Sequence, residues 1–187
     1  MVNMRPFTAF EQKNLKFLVN HNVKFTQVEI TPTGLGKGIL DSTAPMRAYF
    51  LENGIHNYEE QLQGQEHKQI KQACILTDAT QFFTKVSFYR PNTKKGDPRM
   101  WIYGFGSYTE GNDIHVLFWH EQTLYSINIT HIDIEKCYNS AIITPMQEVL
   151  KAINKEGNSV SEELLGRFRA VKDQWFESEV TADTGIG

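Results

Sequence analysis

Arg90, Lys94, Lys95 and Arg99 lie within ten positions of one another, with Asn92, Thr93 and Asp97 interleaved. Pro91, Gly96 and Pro98 keep this stretch out of regular structure, so it reads as a loop between two strands. Lysine and arginine neutralise phosphate. Arginine, asparagine and a carboxylate are also the side chains that pair with guanine, pair with adenine or accept from cytosine. A purely electrostatic patch has no need of Asp97, and its presence among the cations points to reading bases as well as holding a backbone. The plain alternative is a solvated hairpin tip.

A second loop runs from Thr31 to Gly38, with Thr33, Gly34, Gly36 and the cation Lys37 within it. It lacks the G-x-x-x-x-G-K-[ST] spacing of a phosphate loop, and Gly38 stands where a magnesium-binding hydroxyl belongs. Two projecting loops, one basic and one glycine-rich, make better sense as two jaws on one duplex. Other chemistries fit poorly. His115 and His120 are five apart on one strand and face opposite ways, and His56, His67 and His131 have no partners at metal-ligand spacing. Glu66-His67-Lys68 has the E-x-K spacing of one nuclease motif but sits in a polar segment, and Gly106-Ser107-Tyr108 lacks the frame of a nucleophile elbow. No catalytic or metal-ligating residue is assigned.

The formal net charge of -3 and pI near 6.1 disfavour a protein that coats polyanions uniformly, so any nucleic-acid site is a local patch. Cys74 and Cys137 each sit in an apolar run and read as reduced core thiols. No run approaches the roughly 18 apolar residues of a membrane span, and the first 22 residues lack a signal-peptide core. A soluble, cytoplasmic protein without a membrane partner is expected.

The elements that must position these loops follow from pattern. Thr8-x-x-Glu11 is a capping box opening an amphipathic helix to about Asn22. Lys24–Ile30 and Gly38–Leu40 flank the glycine-rich loop as strands. Ser42-Thr43-Ala44-Pro45 offers a hydroxyl cap to a helix ending at Gly54. Tyr58–Lys71, rich in Gln, Glu and Lys, reads as loop or exposed edge. Ala73–Leu76, Gln81–Tyr89, Met100–Phe105, Ile114–His120 and Leu124–Ile129 then alternate as short strands. The expected fold is mainly β with flanking helices, about seven short strands in a closed or half-open barrel. Two helical patterns follow, Pro145–Lys155 and Ser159–Phe176.

The order helix, strand, Thr31-to-Gly38 loop, strand, helix, then Phe88–Tyr103 resembles the DNA-binding pseudobarrel of the N-terminal effector domain of EcoRII-type (type IIE) restriction endonucleases. That fold is related to plant B-three transcription factor domains. The resemblance covers about residues 10 to 140. Thr184-Gly185-Ile186-Gly187, behind Trp175-Phe176, is similar to the opening T-G-I-G-K-T motif of MvaI-like catalytic domains, cut before the lysine.

The resemblance implies a pseudobarrel domain over residues 1–140 and a helical linker over 141–187 leading to a nuclease domain absent from this chain. It implies two arms gripping the major groove of double-stranded DNA, Thr31–Lys37 and Arg90–Arg99, and CCWGG as the target. Lys95, Asp97 and Arg99 match the basic-acid-basic pattern of the second arm, while Pro98 stands where a basic residue is expected. The chain itself would be a monomeric regulatory domain and not an enzyme. It would need no cofactor, magnesium belonging to the catalytic domain of the same polypeptide.

Overall fold

A computed structural model of the chain describes residues 4–156. The helix expected over 159–176 and the motif at 184–187 lie outside the described residues. Those residues form two compact units, one from 4–24, 76–81 and 129–156, the other from 25–75 and 82–128.

The second unit carries nearly all of a seven-stranded, barrel-like sheet, in the order β1-β6-β7-β3-β4-β5-β2. Its strands are β1 (Thr26–Ile30), β2 (Leu40–Asp41), β3 (Gln69–Leu76), β4 (Gln81–Tyr89), β5 (Arg99–Ile102), β6 (Asp113–His120) and β7 (Thr123–Asn128). Period-2 alternation in β1 and β5 turns Val28, Ile30, Met100 and Ile102 inward. They meet Phe50 and Met46 of the helix α3 (Ala44–Glu52), and Phe88 of β4, in one core. β6 and β7 are buried on both faces, so their polar side chains are paired internally. His115 Nδ1 lies 2.7 Å from Ser126 Oγ and its Nε2 lies 2.8 Å from Thr109 Oγ1. Asn128 Nδ2 donates to Asp113 Oδ2 at 2.9 Å. His115 is therefore a satisfied core histidine.

Several local expectations change. The Thr31–Gly38 segment is a six-residue helix, α2 (Pro32–Lys37), and not a flexible loop. Thr31 Oγ1 accepts from Gly34 N at 3.0 Å, Pro32 opens the first turn, and Gly38 closes the helix in the left-handed region at φ 66°. Of the glycines that looked like breakers, Gly34 serves packing, since a Cβ on it would lie 2.5 Å from Leu40 Cδ2 and 2.8 Å from the Ile39 carbonyl. Thr43 makes no side-chain cap to α3, and the neighbouring Ser42 hydroxyl instead meets Tyr58 Oη at 2.6 Å. The strand expected over Met100–Phe105 stops at Ile102. Gly104, at φ 101°, turns the chain into a short helix, α4 (Phe105–Tyr108).

In the first unit, α1 (Ala9–Asn20) has the expected capping box. Glu11 is fully buried, receives Arg5 Nη1 and Thr8 N at 2.8 Å each, and accepts from Thr130 Oγ1 at 2.6 Å. Asn14 bridges to the next helix, α5 (Ile134–Tyr138). Its Nδ2 donates to the Ile129 and Ile132 carbonyls at 2.8 and 2.7 Å, and its Oδ1 accepts from Ile134 N at 3.0 Å. In α6 (Pro145–Glu156), Gln147 Nε2 donates to the Tyr138 carbonyl at 2.7 Å. Both cysteines are free and buried, and burial pushes the Cys74 thiol up to about 11. No helix among the described residues is long and apolar enough to cross a membrane.

Candidate nucleic-acid interface

The loop between β4 and β5 leaves the ladder at the pair Tyr89↔Arg99. Its base is pinned from both sides. Arg90 Nε donates to the Gly96 carbonyl at 2.8 Å, and Nη1 donates to the carbonyls of Tyr58 and Gln61 at 3.1 Å each. Gly64 N donates back to the Arg90 carbonyl at 2.8 Å. On the other flank, Tyr58 Oη donates to the Arg99 carbonyl at 2.8 Å and Ser42 N to the Pro98 carbonyl at 2.9 Å. Gln61 is buried, and its Nε2 donates to the carbonyls of Phe88 at 2.8 Å and His67 at 3.0 Å.

These contacts make the loop a preformed element, so little ordering entropy is left to lose on binding. They also refine two expectations. Tyr58–Lys71 is largely exposed loop, as expected, but it carries two single 3₁₀ turns, Tyr58–Glu60 and Gln65–His67, with buried Tyr58, Gln61 and Gly64 that brace the arm, and its last three residues begin β3. Arg90, expected as a DNA contact, gives its guanidinium to three main-chain carbonyls and so holds the arm's shape.

Beyond this base the chain makes a left-handed turn. Lys94, Lys95 and Gly96 have φ of 49°, 57° and 70°. Gly96 suits that region, and a Cβ there would also fall 2.1 Å from Gln63 Nε2. Each lysine is held there at roughly 1–2 kcal/mol, a cost borne only where surrounding structure enforces it. The turn exposes Asn92, Thr93, Lys94, Lys95 and Asp97 together. Among the described residues, no hydrogen bond or ion pair engages their side chains. Arg99 is placed differently. Its side chain is 17% exposed, and Nε lies 3.1 Å from Asp41 Oδ1, outside hydrogen-bonding alignment, so its charge is partly balanced within the protein.

The Thr31–Lys37 residues do not join this group. Thr31 and Gly34 are helix-capping and packing residues, whereas Thr33, Gly36 and Lys37 are exposed. β2 runs antiparallel to β5, with Leu40↔Met100 and Asp41↔Arg99 in register. The basic arm enters β5 at Arg99, while α2 enters β2 from the other direction, with Gly38 beside the Trp101 ring. The two segments therefore occupy opposite ends of the β2–β5 ladder.

The residues that pattern reading passed over are Tyr58, Gln61 and Gly64, and Ser42, read as a helix cap, instead holds Tyr58 and the Pro98 carbonyl. The one signal that could have flagged them is Gly64, at φ 114°, a glycine within a run of otherwise long polar side chains. Lys68 was also overlooked; its Nζ lies 5.3 Å from the ring centre of Tyr89, the residue from which the loop leaves β4. Comparison with family models, with curated proteins and with solved structures finds no match to this chain.

Proposed function

We propose that the chain is a sequence-specific double-stranded DNA-binding domain, an EcoRII-type pseudobarrel whose Arg90–Arg99 arm enters the major groove. One observation carries the reading. A braced loop presents two unpaired lysines beside an amide, a hydroxyl and a carboxylate, none of them engaged by the described residues. The lysines supply phosphate attraction, and Asn92 and Asp97 supply the acceptor and donor pattern that distinguishes base edges. A groove about 12 Å wide admits a loop of this kind.

The second arm is the α2 segment with its exposed Thr33, Gly36 and Lys37, which the two residue pairs of the β2–β5 ladder separate from the first. By resemblance, the domain serves as the effector module of a type IIE restriction endonuclease. Occupancy of an effector copy of the site would stabilise a cleavage-competent state through reciprocal linkage. CCWGG is the duplex to assay first, and magnesium would act only in the nuclease domain.

The test is a fluorescence-anisotropy titration of a labelled duplex at several salt concentrations. Phosphate contacts by Lys94 and Lys95 give a log-log salt slope of about -1.8. A salt-independent affinity contradicts the reading. Nicking of the duplex by this chain with magnesium would replace it with a catalytic one.

A further inference from the structure

The arm's brace encloses a polar cleft of about 370 Å³ whose lining includes His56, Asn57, Glu60, Gln61, His67 and Lys71. Nothing in the DNA-binding reading above uses it. The cleft shares a residue with the arm: Gln61 lines it, and the Gln61 carbonyl receives Arg90 Nη1.

The hydrogen-bond frame fixes the chemistry of the lining. Gln61 Nε2 faces two carbonyls, which can only accept, so its Oε1 must be the atom 2.8 Å from His56 Nε2. His56 Nε2 therefore carries a proton and donates. The ring is held against Phe88 with centroids 4.5 Å apart and against Tyr58 at 4.4 Å. Lys71 is half-buried, and among the described residues no carboxylate pairs with it. Asn57 Oδ1 accepts from Glu59 N at 3.1 Å, which leaves its Nδ2 as a donor. A lysine without an acid partner and an amide donor thus line one small cleft, beside His56, whose Nε2 proton is already given to Gln61, and His67, whose Nε2 lies 3.7 Å from Glu66 Oε1. The exposed Glu60 is the single carboxylate in the lining.

We propose that this cleft binds a phosphate group, and that the group is a backbone phosphate of the duplex held by the arm. This rests on the DNA-binding reading. It gives the arm a neighbouring anchor beside the same 58–67 brace.

The test uses the whole chain and two substitutions with opposite expected signs. Lys71→Gln removes the cation and should lower duplex affinity for every sequence alike. It should also reduce the salt slope by about 0.9, so the loss of affinity between 50 and 200 mM salt becomes roughly 3.5-fold smaller. Glu60→Gln removes the opposing charge and should raise affinity. Lys94→Ala is measured alongside as the control for the arm, and thermal melts confirm that each variant folds.

If Lys94→Ala weakens binding while Lys71→Gln and Glu60→Gln change nothing, the arm reading stands and the cleft proposal is overturned. If the wild-type chain binds no duplex, the DNA-binding reading fails. Titration with inorganic phosphate, followed by the imidazole proton resonances of His56 and His67, then decides the cleft itself. Shifts abolished by Lys71→Gln keep a phosphate site of free-phosphate origin, and unshifted resonances overturn it.

Discussion

Arg90→Ala should behave as a folding mutation, although Arg90 belongs to the most basic stretch of the chain. Its guanidinium makes three hydrogen bonds to main-chain carbonyls, of Gly96, Tyr58 and Gln61. A bond from a charged donor contributes about 1.5–3 kcal/mol when well buried, but the side chain is only half-buried and water can reach part of what is lost. A total of about 2–3 kcal/mol is expected. For a chain of this size that lowers the melting temperature by roughly 5–10 °C. Urea denaturation measures the loss, and amide hydrogen exchange locates it. The Gly64 amide, which donates to the Arg90 carbonyl, and the Gly96 amide, which donates to that of Thr93, should exchange faster than amides of β6 and β7. Arg90→Lys should rescue little, because an ammonium cannot serve the divergent carbonyls that a planar fork reaches. If Arg90→Ala left stability within about 0.5 kcal/mol and instead lowered the DNA salt slope by about 0.9, the bracing role would be refuted.

Other consequences follow from the same contacts. Gly34→Ala should destabilise by about 1–3 kcal/mol in a denaturant melt, because the new methyl meets Leu40 and the Ile39 carbonyl; an unchanged midpoint would mean that α2 can shift. Burial raises the Glu11 pKa, but hydrogen bonds from Arg5, Thr130 and Thr8 outweigh it and hold the carboxyl below its ordinary 4.5. The stabilisation from Glu11 is therefore present above pH 4.5 and lost as pH falls through the lower folded value. Glu11→Gln should flatten that part of the acid-unfolding curve. Glu121 and Gln122 close the β6–β7 hairpin with φ of 46° and 64°. Replacing them by Asn-Gly, the pair this turn favours, should add about 0.5–1 kcal/mol to stability in the same melts.

The sheet was legible where burial imposes a simple pattern. Alternation in β1 and β5, and apolar runs in β6 and β7, mark strands because each side chain's face follows from its place along the strand. The capping box at Thr8 and Glu11 was equally plain, since both of its bonds are local. What could not be read was set by distant partners. The helix α2 was hidden by its glycines, of which Gly34 answers to the closeness of Leu40 and Ile39 and Gly38 to the left-handed cap, and its Thr-Pro opening was the overlooked local clue. Gln61 and Tyr58 lie in a polar run with no periodicity, and their burial depends on carbonyls of β4 and β5 that pattern cannot place beside them. Composition marked the arm correctly as a dense patch of cations. It could not separate Arg90, turned inward to brace, from Lys94 and Lys95, turned outward, because that difference lies in the left-handed turn and in the segment beneath it.

The central claim is that the arm reads sequence and does not merely hold phosphate. Its most direct test is the ratio of affinities for a CCWGG duplex and one altered at a single base pair, measured by anisotropy for the wild-type chain and for Asp97→Ala. The account predicts that Asp97→Ala lowers this ratio by the equivalent of about 1–3 kcal/mol while binding to the altered duplex is retained. Equal ratios for the two proteins, or a wild-type ratio of one on every duplex enriched from a random pool, would contradict it.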